Sequence, residues 1–217
     1  MYNITLISTA HSEYGKCNSY ELYKIIESIN PQVIFEELPS NLLDCAYNEN
    51  PHPNEPLEVK CIKKYLQNYN IKHIPVDMDL NLFLPTSEID NMFNSFRKYD
   101  VYNKLEIDQY ILTEKYGFSY LNSKKCSELF KEKKIIEKNL ISFMFNKYQL
   151  IHNYKLFHEE QEKRENAMLK NIYNYSKENE YIQAVFLIGS AHRNSVIHKI
   201  TENEKNEKLQ LNWTFYK

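Results

Sequence analysis

The chain has 217 residues, 42% of them hydrophobic, and a formal net charge of −2. That length supplies one well-cored domain, and the near-neutral balance gives no reason to expect nucleic acid or an anionic membrane as a partner. No apolar run approaches the roughly 18 residues needed to span a bilayer, and Met1-Tyr2-Asn3-Ile4-Thr5-Leu6 lacks the basic start and long apolar stretch of a secretory signal. Cys17, Cys45, Cys61 and Cys126 are scattered without a C-x-x-C pair, which predicts free thiols in a reducing, cytoplasmic setting.

Residues 3–9 read as a strand, Asn18 or Ser19 can cap a helix over about 20–30, and Val33-Ile34-Phe35 opens a second strand. Residues 45–56 hold three prolines and three asparagines without apolar periodicity, the signature of a loop. A helix over about 57–70 leads to a short strand at 72–77. Strands and helices alternating at this spacing predict parallel pairing. The middle differs. Ser87 and Glu88 followed by Ile89, Met92, Phe93 and Phe96 predict a capped amphipathic helix, and Gly117 is placed to stop the next one. Residues 123–179 contain neither Gly nor Pro and read as one or two long helices. The chain then returns to strand (184–189), helix (about 193–203) and a last strand (209–216), which could pair antiparallel at an edge. The expectation is a single α/β domain over 1–217. Its central, mostly parallel sheet is flanked by helices, and an all-helical insertion or cap over 87–183 lies between the third and last parallel strands.

Two segments at opposite ends of the chain are near copies: Leu6-Ile7-Ser8-Thr9-Ala10-His11 and Leu187-Ile188-Gly189-Ser190-Ala191-His192. Each is an apolar run that breaks into small residues and ends on a histidine. Open α/β sheets bind ligands outside the carboxyl ends of their strands, so both histidines fall where such a fold places chemistry. The second strand delivers Glu36 and Glu37 to the same edge, and the third delivers Asp77 and Asp79. Side chains alternate faces along a strand, so one of Glu36 and Glu37 is expected to face the site. Two imidazoles with carboxylates suit a divalent transition metal that keeps a position open for water. A remaining carboxylate then serves as general base.

Arg164 precedes Met168, Ile172 and Tyr175 by four, eight and eleven residues, which puts a cation on an apolar helical stripe. It either meets the strand-end carboxylates or snorkels at the rim. His158-Glu159-Glu160-Gln161-Glu162 begins like a metalloprotease helix, but Glu162 stands where the second histidine is required; it reads as a solvated face. His52, His73, His152 and His198 have no motif context and read as surface or packing residues. There is no G-x-G-x-x-G, P-loop or G-x-S-x-G, which removes the main support for dinucleotide oxidoreductase, NTPase and ordinary α/β-hydrolase readings.

On these residues the chain resembles the TraB/PrgY/Tiki family, within a wider group that includes erythromycin esterase-like and ChaN-like proteins. The resemblance rests on paired G-x-x-H motifs, here Ser8-Thr9-Ala10-His11 and Gly189-Ser190-Ala191-His192. It also rests on Pro31-Gln32-Val33-Ile34-Phe35-Glu36-Glu37-Leu38, on Pro75-Val76-Asp77, and on Glu162-Lys163-Arg164-Glu165-Asn166-Ala167-Met168. Residues from about 85 to 155 carry no part of it. The resemblance implies a divalent-metal-dependent hydrolase, of peptidase or amidase type, acting on a peptide or small molecule. His11, His192 and Glu37 would hold Mn, Co or Zn, with Glu36, Asp77 and Arg164 as further candidates. The alternative it implies is a non-enzymatic protein that binds haem or another small ligand.

Overall fold

A computed structural model describes residues 2–48, 55–79, 85–203 and 209–217. Five strands, β1 (Tyr2–Thr9), β2 (Val33–Pro39), β3 (Lys72–Asp77), β4 (Gln183–Gly189) and β5 (Leu211–Phe215), form one sheet in the order β3-β2-β4-β1-β5. Every pairing is parallel. The last strand therefore joins β1 at the edge in parallel, rather than by the antiparallel option its sequence left open. Strands covered on both faces read as near-continuous apolar runs, and Ile4, Leu6 and Ile7 of β1 and Ala184 to Ile188 of β4 are all buried.

Helices α1 (Ser19–Ile29) and α3 (Leu57–Leu66) cover one face, packing with Ile7, Ile34, Val185 and Leu187. Between β2 and α3 lies the short α2 (Leu43–Asn48). The Asn18 side chain accepts from the Glu21 backbone N–H and caps α1 at its start. Asn30 closes it in the left-handed region, φ 53°. On the other face, Leu6, Phe35, Phe186 and Ile188 pack with Met168, Ile172, Val196 and Ile200, which belong to α8 (Lys147–Glu178) and α9 (Arg193–Asn203).

Between β3 and β4 the described residues are helical: α4 (Thr86–Arg97), α5 (Asp100–Tyr116), α6 (Phe118–Leu121), α7 (Lys124–Phe143) and α8. Pro85, not Ser87, stands at the start of α4, and no side chain caps it. Gly117 does end α5, at φ 57°, where an added Cβ would meet the Lys16 backbone oxygen at 2.5 Å. The long 123–179 segment is two helices, and Ser123 caps the first by accepting from Cys126 N–H. Met92, Phe96, Tyr102, Leu140, Leu150 and Tyr154 form a separate core among these helices. The 32-residue α8 thus spans two cores, its first half in the helical layer and its second half on the sheet.

The chain starts in the middle of the sheet, winds towards β3 under α1 and α3, then returns to β4 and winds towards β5 under α8 and α9. The winding direction reverses where β1, β4 and β2 adjoin. That reversal opens a crevice at their carboxyl ends, the standard ligand position of doubly wound sheets.

Candidate functional site

The register of β1 on β4 sets Thr9 opposite Gly189, and the Ser190 N–H donates to the Thr9 carbonyl at 2.9 Å. The two histidine motifs are therefore neighbours, offset by one residue rather than related by a strict repeat. Asn122 fixes the end of β1. Its carbonyl oxygen accepts from Ser8 N–H at 2.8 Å and its amide donates to the Ser8 carbonyl at 3.0 Å. Arg193 reaches the same place from α9, donating to Ser8 Oγ at 3.2 Å.

Glu37 is the centre of the crevice. Its Oε1 accepts from Arg164 Nη2 at 2.7 Å and faces His192 Nε2 at 3.3 Å. Its Oε2 accepts from the Gly189 N–H at 2.6 Å. The position a Cβ would take on Gly189 lies 3.2 Å from Glu37 Oε2 and 3.4 Å from His11 Nε2, so His11 Nε2 and the carboxylate flank the same glycine, while His192 Nε2 contacts Glu37 directly. Each turns Nδ1 away to another carboxylate: His192 to Glu165 Oε1 at 2.9 Å, and His11 to Glu58 Oε1 at 3.3 Å. Glu58 also accepts from the Thr9 hydroxyl, and Glu165 from the Ser195 hydroxyl at 2.5 Å. The Leu57 N–H donates to the His11 carbonyl at 3.1 Å, which ties the start of α3, and with it Glu58, to the end of β1.

Arg164 does meet the strand-end carboxylates. Nε and Nη2 both donate to Asp77 Oδ2, at 3.0 and 2.6 Å, and Nη2 also serves Glu37. Asp77 accepts in addition from the Met78 N–H at 2.8 Å. Glu36, on the opposite face of β2, bonds the Tyr47 hydroxyl and His73 Nδ1, while Asp79 is exposed. Of the adjacent pair, it is Glu37 that joins His192 and Arg164.

The charges follow from this packing. Burial opposes protonation of His192, but the bonds to Glu165 and Glu37 prevail and raise it from 6.5 to about 9. The Glu58 contact raises His11 to about 9, against some desolvation. Burial alone would raise Glu37; the His192 bond and the nearby charges of His192, His11 and Arg164 hold it at about 2. At neutral pH the site holds an ionised Glu37 between cationic groups.

No protein-family model, curated protein or solved structure matches the chain.

Above the site opens a cleft of about 510 Å³, bounded by His11, Gly189 and His192 below and by α4, α5, α7 and α8 above. Phe93, Phe130 and Phe157 supply apolar wall; Lys133, Glu106 and Glu137 supply charge. Lys133 is buried there, bonded to Glu106 and Gln109. Behind His11 lies a chamber of about 60 Å³ bordered by Glu36, Glu37 and Glu58, roomy enough for a water or an ion. Glu58 Oε2 is buried without a hydrogen-bond partner. Among the described residues no group of three His, Cys, Asp or Glu side chains is arranged to hold a metal ion; His192 is paired with Glu37 and Glu165, and His11 with Glu58.

Two residues of the site escaped the sequence reading, Glu58 and Glu165. The expected solvated face at His158–Glu162 holds for Glu159 and Glu162, which are exposed, but not for the rest. Glu160 is buried, and His158 sits against the Tyr154 and Phe157 rings with Nε2 buried and unpartnered, because the first half of α8 runs along the helical core. His73 packs on Glu36, His152 is exposed, and His198 is exposed beside Glu202; His52 lies outside the described residues.

Proposed function

We propose that this chain is a divalent-metal-dependent hydrolase of the TraB/PrgY/Tiki type, acting on amide bonds of peptides or small molecules. The observation that carries the reading is the shared geometry of the two histidines. A carboxylate holds Nδ1 of each, Glu58 at His11 and Glu165 at His192, and Nε2 is left beside Gly189 in one and against Glu37 in the other, the arrangement that fixes tautomer and ring direction in metal-ligating histidines. The orphaned Glu58 Oε2 beside a small chamber is a second sign that the polar groups here await a ligand.

In this reading His11, His192 and Glu37 hold the ion (Mn, Co or Zn). The ion, when bound, supplies Lewis-acid polarisation and a water acidified towards neutral pH. Where Glu37 does not itself bind the ion, it is the general base for the attacking water. Arg164 acts through Glu37: with Nε and Nη2 on Asp77 and Glu37, it orients the carboxylate instead of reaching for substrate oxygen. Asp77 orients Arg164 in turn. Glu36 borders the small chamber with Glu37, but its oxygens are engaged by His73 and Tyr47, so it takes no part in this reading. The cleft volume falls in the range of small-ligand sites, which favours short peptides and amides over folded protein. The haem alternative has less support, because Lys133, Glu106 and Glu137 charge the wall that a macrocycle would need apolar.

The test is a metal-reconstituted assay on a panel of short peptides, amides and esters. Hydrolysis should appear on adding Mn, Co or Zn, and Glu37→Gln should lower it by about 10²-fold or more. Metal-loaded protein that cleaves nothing on the panel, yet gives a histidine-dependent Soret band with haem, would establish the binding module instead.

A further inference from the structure

The turn joining α7 to α8 carries apolar side chains where a water-facing tip should carry polar ones. Phe143 is 64% exposed, Phe145 is fully exposed, and Tyr148 and Ile151 are 80% and 50% exposed. Tyr148 and Ile151 are three residues apart, so they share one helical face. The opposite face of the same turns, Leu150 and Tyr154, is buried in the helical core. The outward stripe is therefore surplus to folding. Tyr99, in the α4–α5 turn, packs its ring on Phe143 with centroids 6.1 Å apart, and Val101, two residues on, is 54% exposed. The apolar patch thus spans two adjacent turns at one end of the helical layer.

Between Glu137 and Glu159 the charge is one-sided. Residues 138–158 contain no Asp or Glu but carry Lys138, Lys147 and Lys155. Lys155 faces Glu159 at 3.6 Å, and Lys147 lies 5.3 Å from the Tyr148 ring centroid. On the packed α4–α5 turn, exposed Lys98 and Asp100 offset each other. A local excess of lysine on a chain of net charge −2 disfavours self-association through this tip, because two copies would bring like charges together. Phe, Tyr and Ile beside snorkelling lysines instead match the interface of a bilayer with anionic headgroups.

We propose that this tip, Phe143, Phe145, Tyr148 and Ile151 with Lys147, inserts into the interfacial layer of an anionic lipid membrane and tethers the protein peripherally. No described helix is long and apolar enough to cross a membrane, so the contact would be superficial and reversible. Arg164 lies 17 residues along α8 from Lys147, roughly 25 Å at about 1.5 Å per residue. Docking would leave the cleft clear of the surface, and the proposal stands apart from the hydrolase reading.

The experiment is flotation of the full chain with vesicles of phosphatidylcholine alone and of phosphatidylcholine mixed with phosphatidylserine, together with Phe145→Trp fluorescence. Binding should require the anionic lipid and weaken as salt rises. It should fall about tenfold or more in Phe145→Ser/Tyr148→Ser, given the usual worth of a buried apolar side chain. That variant should keep the wild-type melting temperature, because both positions are exposed. The Phe145→Trp emission should shift to the blue on anionic vesicles. Unchanged Phe145→Trp emission, or flotation that the double variant leaves intact, would overturn the proposal. So would concentration-dependent self-association abolished by the double variant without vesicle binding, which would assign the patch to a second copy of the chain.

Discussion

His192 Nε2 lies 3.3 Å from Glu37 Oε1, and both members of the pair are held from behind. Glu165 accepts from the His192 Nδ1 side at 2.9 Å, and Arg164 donates to the same Glu37 oxygen at 2.7 Å. A buried imidazole and a buried carboxylate are thus each fixed by a partner of their own.

Arg164 bridges Asp77 and Glu37, whose side chains are 1% and 6% exposed. Arg164→Met keeps packing volume but leaves two buried carboxylates short of a partner. Stability should fall by about 3–5 kcal/mol, measured by denaturant unfolding. Arg164→Lys should recover only part of this, because an ammonium cannot serve both carboxylates with a planar fork. Wild-type stability in Arg164→Met would show that the bridge does not hold the strand ends.

The pH dependence of stability has a definite sign. His192 binds its proton more tightly in the fold, at about 9 against 6.5. Its contribution is therefore complete below 6.5 and lost as pH rises through 9. Glu37 releases its proton more readily, at about 2 against 4.5. Its contribution is complete above 4.5 and lost as pH falls through 2. The pair should stabilise most between those limits. Unfolding curves across the acid, neutral and alkaline range should show the alkaline decline, and Glu165→Gln should flatten it. An alkaline limb equally steep in that variant would remove His192 as its source.

Gly189 leaves only tight room for a side chain on the Glu37 side. Its Cβ would stand 3.2 Å from Glu37 Oε2 and 3.4 Å from His11 Nε2, so Gly189→Ala shifts the carboxylate by a few tenths of an ångström and puts a methyl group against the imidazole. Because the crowding falls on side-chain ends, melting temperature should move little while metal affinity falls about tenfold, a shift of the size expected when ligand support is disturbed. Unchanged affinity would place the ion elsewhere.

Much of this site was legible because the strands announce themselves. Continuous apolar runs that end abruptly in His11, Glu37, Asp77 and His192 can be read without knowing the strand order, and Arg164 betrayed itself by standing on an apolar stripe. Glu165 gave the same signal, since Leu169 and Ile172 follow it at four and seven residues, but in a charged helix the stronger anomaly next to it drew the inference. Glu58 gave none. A glutamate in the first turn of a helix is ordinary, and only the closure of α3 onto the His11 carbonyl brings it to the site. The choice between Glu36 and Glu37 depended on which sheet face α8 covers. The parallel direction of β5 depended on the α9 crossover. Both are tertiary facts that no local pattern encodes.

The most direct test of the central claim is calorimetric titration of the full chain with Mn, Co or Zn near neutral pH, repeated in buffers of different ionisation enthalpy. Both histidines carry protons there, because each titrates at about 9, so an ion bound at their Nε2 atoms must displace them. One ion should bind per chain with the release of about two protons, and affinity should rise about a hundredfold per pH unit below 9. His11→Ala and His192→Ala should each abolish tight binding. Absence of stoichiometric binding, or binding that releases no protons and survives both substitutions, would contradict a metal centre built on His11, His192 and Glu37.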